Sequence, residues 1–255
     1  MKLAILGGAG RMGQMLLACA KELGLDVVAV TEAPESPLIG QPVGNLVYQA
    51  TWPEMADTVI DFTFHTCVTA NLANAVRCRQ TYVLGTTGLS EEELAAVNAA
   101  ARTIPLCFAP NFSLGVNLLL ELVRRAASVL DESYDAEIVE MHHRHKKDAP
   151  SGTALGLAQA LAEGRGVRLD DVVRHGRHGI VGERPRGEIG MHALRGGSVV
   201  GDHTVLFAAD EERVEITHKA SSRAAFAKGA LKAAQWLQGR APGLYDMRDV
   251  LGFTA

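Results

Sequence analysis

The first 32 residues constrain the fold more than any other part of the chain. Residues 2–6, KLAIL, form a short apolar run of strand type, and GGAGRMG follows at once. MGQMLLACAKELG then carries apolar residues at helical spacing and stops at Gly24, and LDVVAVTE is a second strand-type run. Strand, glycine turn, helix and strand in this order make the unit from which parallel sheets are built. Gly8-Ala9-Gly10-Arg11-Met12-Gly13 fits G-x-G-x-x-G, a weak signal alone because glycines gather in turns. Its context gives it weight: a strand enters, a helix leaves, and the second strand ends in an acid, Glu32, nineteen positions past Gly13. That is the arrangement of a dinucleotide-binding turn. Gly8 is expected to allow the tight turn, Gly10 the approach of a pyrophosphate, and Gly13 close packing of helix on strand. The helix start offers N–H groups to phosphates, and Glu32 can accept from adenosine ribose hydroxyls.

The alternation continues to about residue 113. TVIDFTF, TYVLGTTG and IPLCFAPNFS read as strands, with the helices CVTANLANAVRCRQ and SEEELAAVNAAAR between them. Ser90 with Glu93 has the spacing of a capping box. From residue 114 the texture changes. A longer amphipathic helix, GVNLLLELVRRAASVL, precedes the strand YDAEIVEMHH, a basic stretch and the helix TALGLAQALAEG. Residues 174–190 read as a long charged loop, and residues 191–222 as consecutive strands in antiparallel mode. The last helix, AAFAKGALKAAQWLQ, has Phe226, Ala230, Ala234 and Leu237 on one face and is free to pack on either part. The fold class is α/β: a Rossmann-type parallel sheet domain, residues 1–113, followed by a mixed α/β domain, residues 114–223.

With 255 residues, 47% of them apolar and 21% charged, the chain can bury its cores without disulfides. Its formal charge of −4 argues against a nucleic-acid binder. Cys19, Cys67, Cys78 and Cys107 form no CxxC pair and read as buried thiols of a reducing compartment. The apolar start is too short for a signal-peptide core and no run approaches a membrane span, which points to a cytoplasmic protein.

Against that acidic total, His142 to Lys147 hold three histidines, an arginine and two lysines, followed by Pro150-Ser151-Gly152-Thr153. The alternation of the preceding strand places Glu140 and His142 on one face and His143 on the other. Ser151 or Thr153 can cap the helix that follows. A helix start behind a cationic loop suits an anion, and several donors suggest more than one carboxylate or a phosphate. Histidine exchanges protons near neutral pH, and a lysine among cations can act as an acid. A solvated basic loop is the plain alternative, but it gives no reason for a Ser-Gly-Thr helix start. A metal site lacks a completing carboxylate or cysteine pattern, so no metal is expected. In an open parallel sheet ligands lie beyond the carboxyl ends of the strands, where residues 61–65 (DFTFH), 85–88 (GTTG) and 109–113 (APNFS) also fall.

With GGAGRMG, DFT, GTTG, APNFSLGVN, HHRHKKDAPSGTAL, HALRGGSVVGDHTVLF and EITHKASSR in this order, the chain resembles the dihydrodipicolinate reductase family over essentially its whole length. The resemblance implies that a cyclic dicarboxylic acid is reduced by a nicotinamide cofactor with loss of water, giving tetrahydrodipicolinate in diaminopimelate and lysine biosynthesis. It implies His142 as general acid/base, Lys146 as proton donor, and His143, Gly152 and Thr153 as substrate contacts, with Arg223 a weaker one whose plain alternative is a surface salt bridge. Cofactor contacts fall on Gly7, Gly8, Ala9, Gly10, Arg11, Met12, Gly13, Glu32, Gly85, Thr86, Thr87, Ala109, Pro110, Asn111 and Phe112. Ala33, rather than the arginine of many members, follows Glu32, so NADH is expected over NADPH. The resemblance further implies that residues 224–255 complete the nucleotide domain and that the substrate-domain sheets build a homotetramer. The competing readings are another two-domain Rossmann oxidoreductase of small anionic substrates, which for semialdehydes needs a nucleophilic cysteine, and an NAD-binding sensor without catalysis.

Overall fold

The structure, a computed structural model, describes residues 1–253. In chain order its elements are β1 (Lys2–Leu6), α1 (Arg11–Glu22), β2 (Asp26–Thr31), β3 (Pro42–Val43), β4 (Leu46–Gln49), β5 (Thr58–Asp61), α2 (His65–Cys78), β6 (Thr81–Leu84), α3 (Glu91–Ala101) and β7 (Pro105–Phe108). There follow α4 (Leu114–Val129), β8 (Asp135–His142), α5 (Gly152–Arg165), α6 (Leu169–Val172), β9 (Val173–His175), β10 (Ile189–Arg195), β11 (Gly201–Ala208) and β12 (Arg213–Ala220). The chain closes with α7 (Ala224–Trp236), β13 (Gly243–Tyr245) and α8 (Met247–Leu251). Two compact units result: residues 1–114 with those from 223 onward, and residues 115–222. Among the described residues no helix is long and apolar enough to cross a membrane.

The first unit is an eight-stranded sheet in the order β13-β7-β6-β5-β1-β2-β4-β3, parallel except where β3 meets β4. Its central strands are mostly apolar, as expected where both faces of a sheet are covered. Leu3 and Ile5 of β1 pack with Leu16, Ala230 and Ala234 on one side. Ala4 and Leu6 pack with Val59, Leu72 and Val97 on the other. The final helix α7 therefore lies in this unit. Gly229 brings it close to the strand exit after β7, since a Cβ there would stand 1.7 Å from the Phe112 carbonyl oxygen. Strand order reverses at β1, which has β5 on one side and β2 on the other. Ligands of open α/β sheets bind beyond the strand ends at such a point. The capping box at Ser90 and Glu93 is formed.

Not all four cysteines are buried. Cys19 and Cys107 are, but Cys67 is exposed and Cys78 partly so. On α2 the stripe facing the core is Val68, Leu72 and Ala75, and Cys67 lies about a quarter turn away from it.

The second unit is a five-stranded sheet in the order β12-β11-β8-β10-β9. Here the sequence reading needs correction. Strand β10 does not form an antiparallel hairpin with β11; it pairs in parallel with β8 and β9, and β8 stands between it and β11. Strand β8 carries the core residues Ala136 and Ile138, and only a central position buries them fully. That burial outweighs the turn preference of Gly196-Gly197. The start of the expected loop, residues 174–175, likewise joins Val173 in β9. One face of the sheet packs on α4 and α5 through Leu119, Val123, Leu157 and Leu161.

Candidate active site

In the first unit the β1–α1 turn is shaped by what its residues lack. The left-handed residue is Gly7, at φ +72°, and not Gly8 as the motif suggests. Gly8 is needed for packing, because a Cβ there would lie 2.1 Å from Val30 Cγ1. At Gly13 a Cβ would meet the Gly7 carbonyl oxygen at 2.3 Å and Gly8 Cα at 2.6 Å, so helix and turn touch through bare backbone. Gly10 begins α1 with extended backbone and no side-chain cap, leaving the first-turn N–H groups to a ligand. Glu32 Oε1 accepts from the Ala9 amide at 2.6 Å, tying the acid to the turn.

A cleft of about 890 Å³ opens here, lined by Gly7, Gly10, Arg11, Met12, Glu32 and Ala33, by residues 62–65, and by Gly85, Thr86 and Thr87. Gly85 is held to glycine by Phe62, whose ring would lie 2.2 Å from a Cβ. Gly8, Ala9 and Gly13 are not among the lining residues, and neither is the exit after β7. Ala109 and Phe112 are buried, Pro110 is exposed, and Asn111 accepts from the Ser113 amide at 2.8 Å. Arg223 is exposed at the start of α7 and makes no ion pair among the described residues, so the salt bridge expected as its plain alternative is not formed.

In the second unit the chemistry gathers where β8 ends and α5 begins. Alternation along β8 turns Glu140 and His142 inward; Glu140 is fully buried and His142 nearly so. His142 Nδ1 donates to Glu140 Oε2 at 2.5 Å. Arg195, from the end of β10, donates to the same carboxylate at 2.9 Å and to the Asp148 carbonyl at 2.6 Å. The Ser151 amide donates to Glu140 Oε1 at 3.1 Å. Burial pushes the Glu140 carboxyl up, but Arg195 and then His142 outweigh it and hold it below the usual range. The carboxylate fixes the ring and its Nδ1–H tautomer, which leaves Nε2 as the atom that can exchange a proton. Gly201 keeps room beside that nitrogen, since a Cβ there would approach it to 2.9 Å.

Ser151, rather than Thr153, caps α5, accepting from the Ala154 amide at 3.2 Å. The same hydroxyl hydrogen-bonds His203 Nε2, 3.1 Å away. His203 is edge-on to His142, with ring centroids 5.1 Å apart. Burial, then the neighbouring His142, lowers the His203 value to about 4, so its ring is neutral at neutral pH. Gly152 is exposed with open space at its Cα, and Thr153 follows it in the first turn of the helix. Lys146 is not surrounded by cations alone: its Nζ pairs with Asp148 at 2.9 Å. His143 and His145 stand 6.1 Å apart, beyond the strand end. The sequence reading missed Arg195 and His203 as members of this cluster. Their signal was distant and lay only in HALRGGSVVGDHTVLF.

Cys107, the cysteine a semialdehyde dehydrogenase would need, is fully buried. Burial, then Asp246 and Asp249, push its thiol up to about 12, which removes the nucleophilic thiolate.

Residues 1–112 match the family described as "Dihydrodipicolinate reductase, N-terminus", and residues 115–251 the one described as "Dihydrodipicolinate reductase, C-terminus". A 4-hydroxy-tetrahydrodipicolinate reductase of Ruegeria pomeroyi is 50% identical over 262 residues, covering 98% of this chain and 97% of the relative. Its namesake in Thiobacillus denitrificans is also 50% identical, covering 98% of each. The solved structure of dipicolinate-bound dihydrodipicolinate reductase from Paenisporosarcina sp. TG-14 superposes with a TM-score of 0.79 at 25% identity, covering 96% of this chain and 97% of that one. An amine dehydrogenase from Mycobacterium smegmatis, at 10% identity and a TM-score of 0.61, covers 95% of this chain and 94% of its own and shares the fold alone. With matches that run through both units and carry the cleft and the His142 cluster, this chain belongs to the dihydrodipicolinate reductase family.

Proposed function

We propose that this chain reduces 4-hydroxy-tetrahydrodipicolinate to tetrahydrodipicolinate with a nicotinamide cofactor, a step of diaminopimelate and lysine biosynthesis. The observation that carries the reading is the buried Glu140, shared by His142, Arg195 and the Ser151 amide at the start of α5. It gives one place both a proton-exchanging nitrogen and an anion-binding helix start.

The β1–α1 turn fits a dinucleotide: Gly7, Gly8, Gly10 and Gly13 leave backbone without a Cβ around the uncapped start of α1, and Glu32 is anchored beside it. Gly7 to Gly13 would hold the pyrophosphate and Glu32 the adenosine ribose. Gly85, Thr86 and Thr87 would form the nicotinamide end, with Ala109 to Phe112 supporting it. When bound, the reduced nicotinamide supplies the hydride. In the second unit the Gly152 and Thr153 amides and the Thr153 hydroxyl bind one carboxylate, and His143 makes a further substrate contact. Lys146 delivers the proton that balances the hydride, and His142 exchanges a proton through Nε2 while Glu140 holds its other nitrogen. Arg223 is a weaker substrate contact.

NADH is the preferred cofactor. The Glu32 carboxylate repels a 2′-phosphate, and no Lys or Arg occurs in residues 33–38 to offset it. The chain works in the cytoplasm as a homotetramer, which sedimentation velocity tests. A coupled assay with aspartate semialdehyde, pyruvate and the upstream synthase tests the reaction, followed by the loss of nicotinamide absorbance. Consumption of NADH with a higher kcat/KM than NADPH is expected. No consumption of either defeats the reading, and a clear NADPH advantage defeats the cofactor preference.

A further inference from the structure

Behind the wall of the nucleotide cleft lies a carboxylate without a task so far. Asp61 ends β5 and is fully buried. Its Oδ1 accepts from the Thr63 amide at 2.8 Å, the Thr63 hydroxyl at 2.6 Å and the Thr86 hydroxyl at 3.3 Å. Its Oδ2 accepts from Asn71 Nδ2 at 3.0 Å and from the Tyr82 phenol at 2.5 Å. Burial, then the Asp61 carboxylate, holds the Tyr82 phenol well above its ordinary value, which keeps it a donor. Both oxygens act only as acceptors, the pattern of an ionised carboxylate. Among the described residues none of these donors carries a charge. Hydrogen bonds satisfy such a buried anion, but neutral donors do not cancel its field.

Thr63, Asn71 and Thr86 line the cleft, whereas Asp61 and Tyr82 stand behind them. A turn cap would need the Thr63 amide alone. The carboxylate also fixes three side chains of the cleft wall, two of them from other elements. Resting on the reading of this cleft as the nicotinamide cofactor's site, we propose that Asp61 is a positioning residue that also sets the cleft's preference between the two charge states of the cofactor. It holds Thr63, Asn71 and Thr86 in place, and its uncancelled charge favours the oxidised, cationic ring over the reduced, neutral one. The reason is elementary: a fixed anion in surroundings of low effective dielectric attracts the first and is indifferent to the second. The same field stabilises positive charge that develops in the cleft during reduction.

Calorimetric dissociation constants for NAD⁺ and NADH, measured on the full chain and on Asp61→Asn and Tyr82→Phe, test this. Asp61→Asn removes the charge and keeps the shape. Its ratio Kd(NAD⁺)/Kd(NADH) is expected to rise roughly tenfold, the scale of one charge interaction at intermediate dielectric. Tyr82→Phe removes one donor and leaves the anion less compensated, so its ratio is expected to fall. Opposite movements of the ratio are a signature that loosened packing alone does not produce. An unchanged ratio in Asp61→Asn overturns the proposal. If that variant fails to fold, an unchanged or raised ratio in Tyr82→Phe overturns it. A wild-type protein that binds neither nucleotide overturns the cofactor reading, and the proposal with it.

Discussion

The β1–α1 turn and the β8–α5 corner are both places where a strand gives way to a helix start, and they are built in opposite ways. At the first, Gly10 begins the helix without a side-chain cap, and the space a Cβ would need is filled by the Val30 side chain at Gly8 and by backbone at Gly13. At the second, Ser151 caps the helix, and a buried carboxylate gathers a histidine, an arginine and a backbone amide. The same local geometry thus serves two chemistries. A long phosphate ligand calls for donors on bare backbone. A proton-transfer step calls for side chains of fixed charge and orientation. An added methyl breaks the first site and a lost charge breaks the second.

The comparison is broken most forcefully at the second site. His142→Ala and Lys146→Ala are each expected to lower kcat roughly 10²–10⁴-fold, the scale of acid–base assistance, while NADH affinity stays near wild type. If calorimetry shows NADH affinity collapsing instead, these residues belong to the cofactor site and the division fails. At the first site the expected effect is smaller and of the opposite kind. Gly13→Ala places a Cβ 2.3 Å from the Gly7 carbonyl oxygen. Backbone on both sides cannot yield cheaply, so a loss of about 1–3 kcal/mol is expected, the scale of overpacking. It is read as a lower urea midpoint, with weaker NADH binding and kcat at saturation little changed. A Gly13→Ala protein that binds NADH as well as the wild type would show that the close contact is not what shapes the turn.

The smallest effect sharpens the comparison within β8 itself. Glu137 points to the sheet face opposite Glu140. Burial pushes its carboxyl up, but hydrogen bonds from Arg177, Arg184 and His192 outweigh it and hold it at about 2. The folded value lies below the unfolded one, so its contribution is fully present above about pH 4.5 and is lost as pH falls toward 2. Discounted for partial exposure, the term is on the order of 1–2 kcal/mol. Urea midpoints measured from pH 5 downward should fall more steeply for the wild type than for Glu137→Gln. At neutral pH the variant should be less stable but keep its kcat. A lowered kcat would join the two faces of β8 in function.

Much of this was legible along the chain. The β–α–β start, the capping box at Ser90 and the inward alternation of Glu140 and His142 depend on neighbours a few residues away, and local periodicity reports such neighbours. The short strands β3, β4 and β9 were not legible, because two to four residues carry too little periodicity. Nor was the exposure of Cys67, which depends on which stripe of α2 meets the core. The parallel pairing of β10 with β8 escaped as well, since Gly196-Gly197 favour a hairpin locally while burial of β8 decides globally.

By itself the sequence determined the two α/β textures, the glycine turn, and the basic stretch with its Ser-Gly-Thr helix start. Only the tertiary structure decided that Arg195 would meet Glu140 across 55 positions, and His203 meet Ser151 across 52. The register of β8 between β10 and β11 makes those meetings. That register is set by burying one strand on both sides, a cooperative choice that no short window of residues contains.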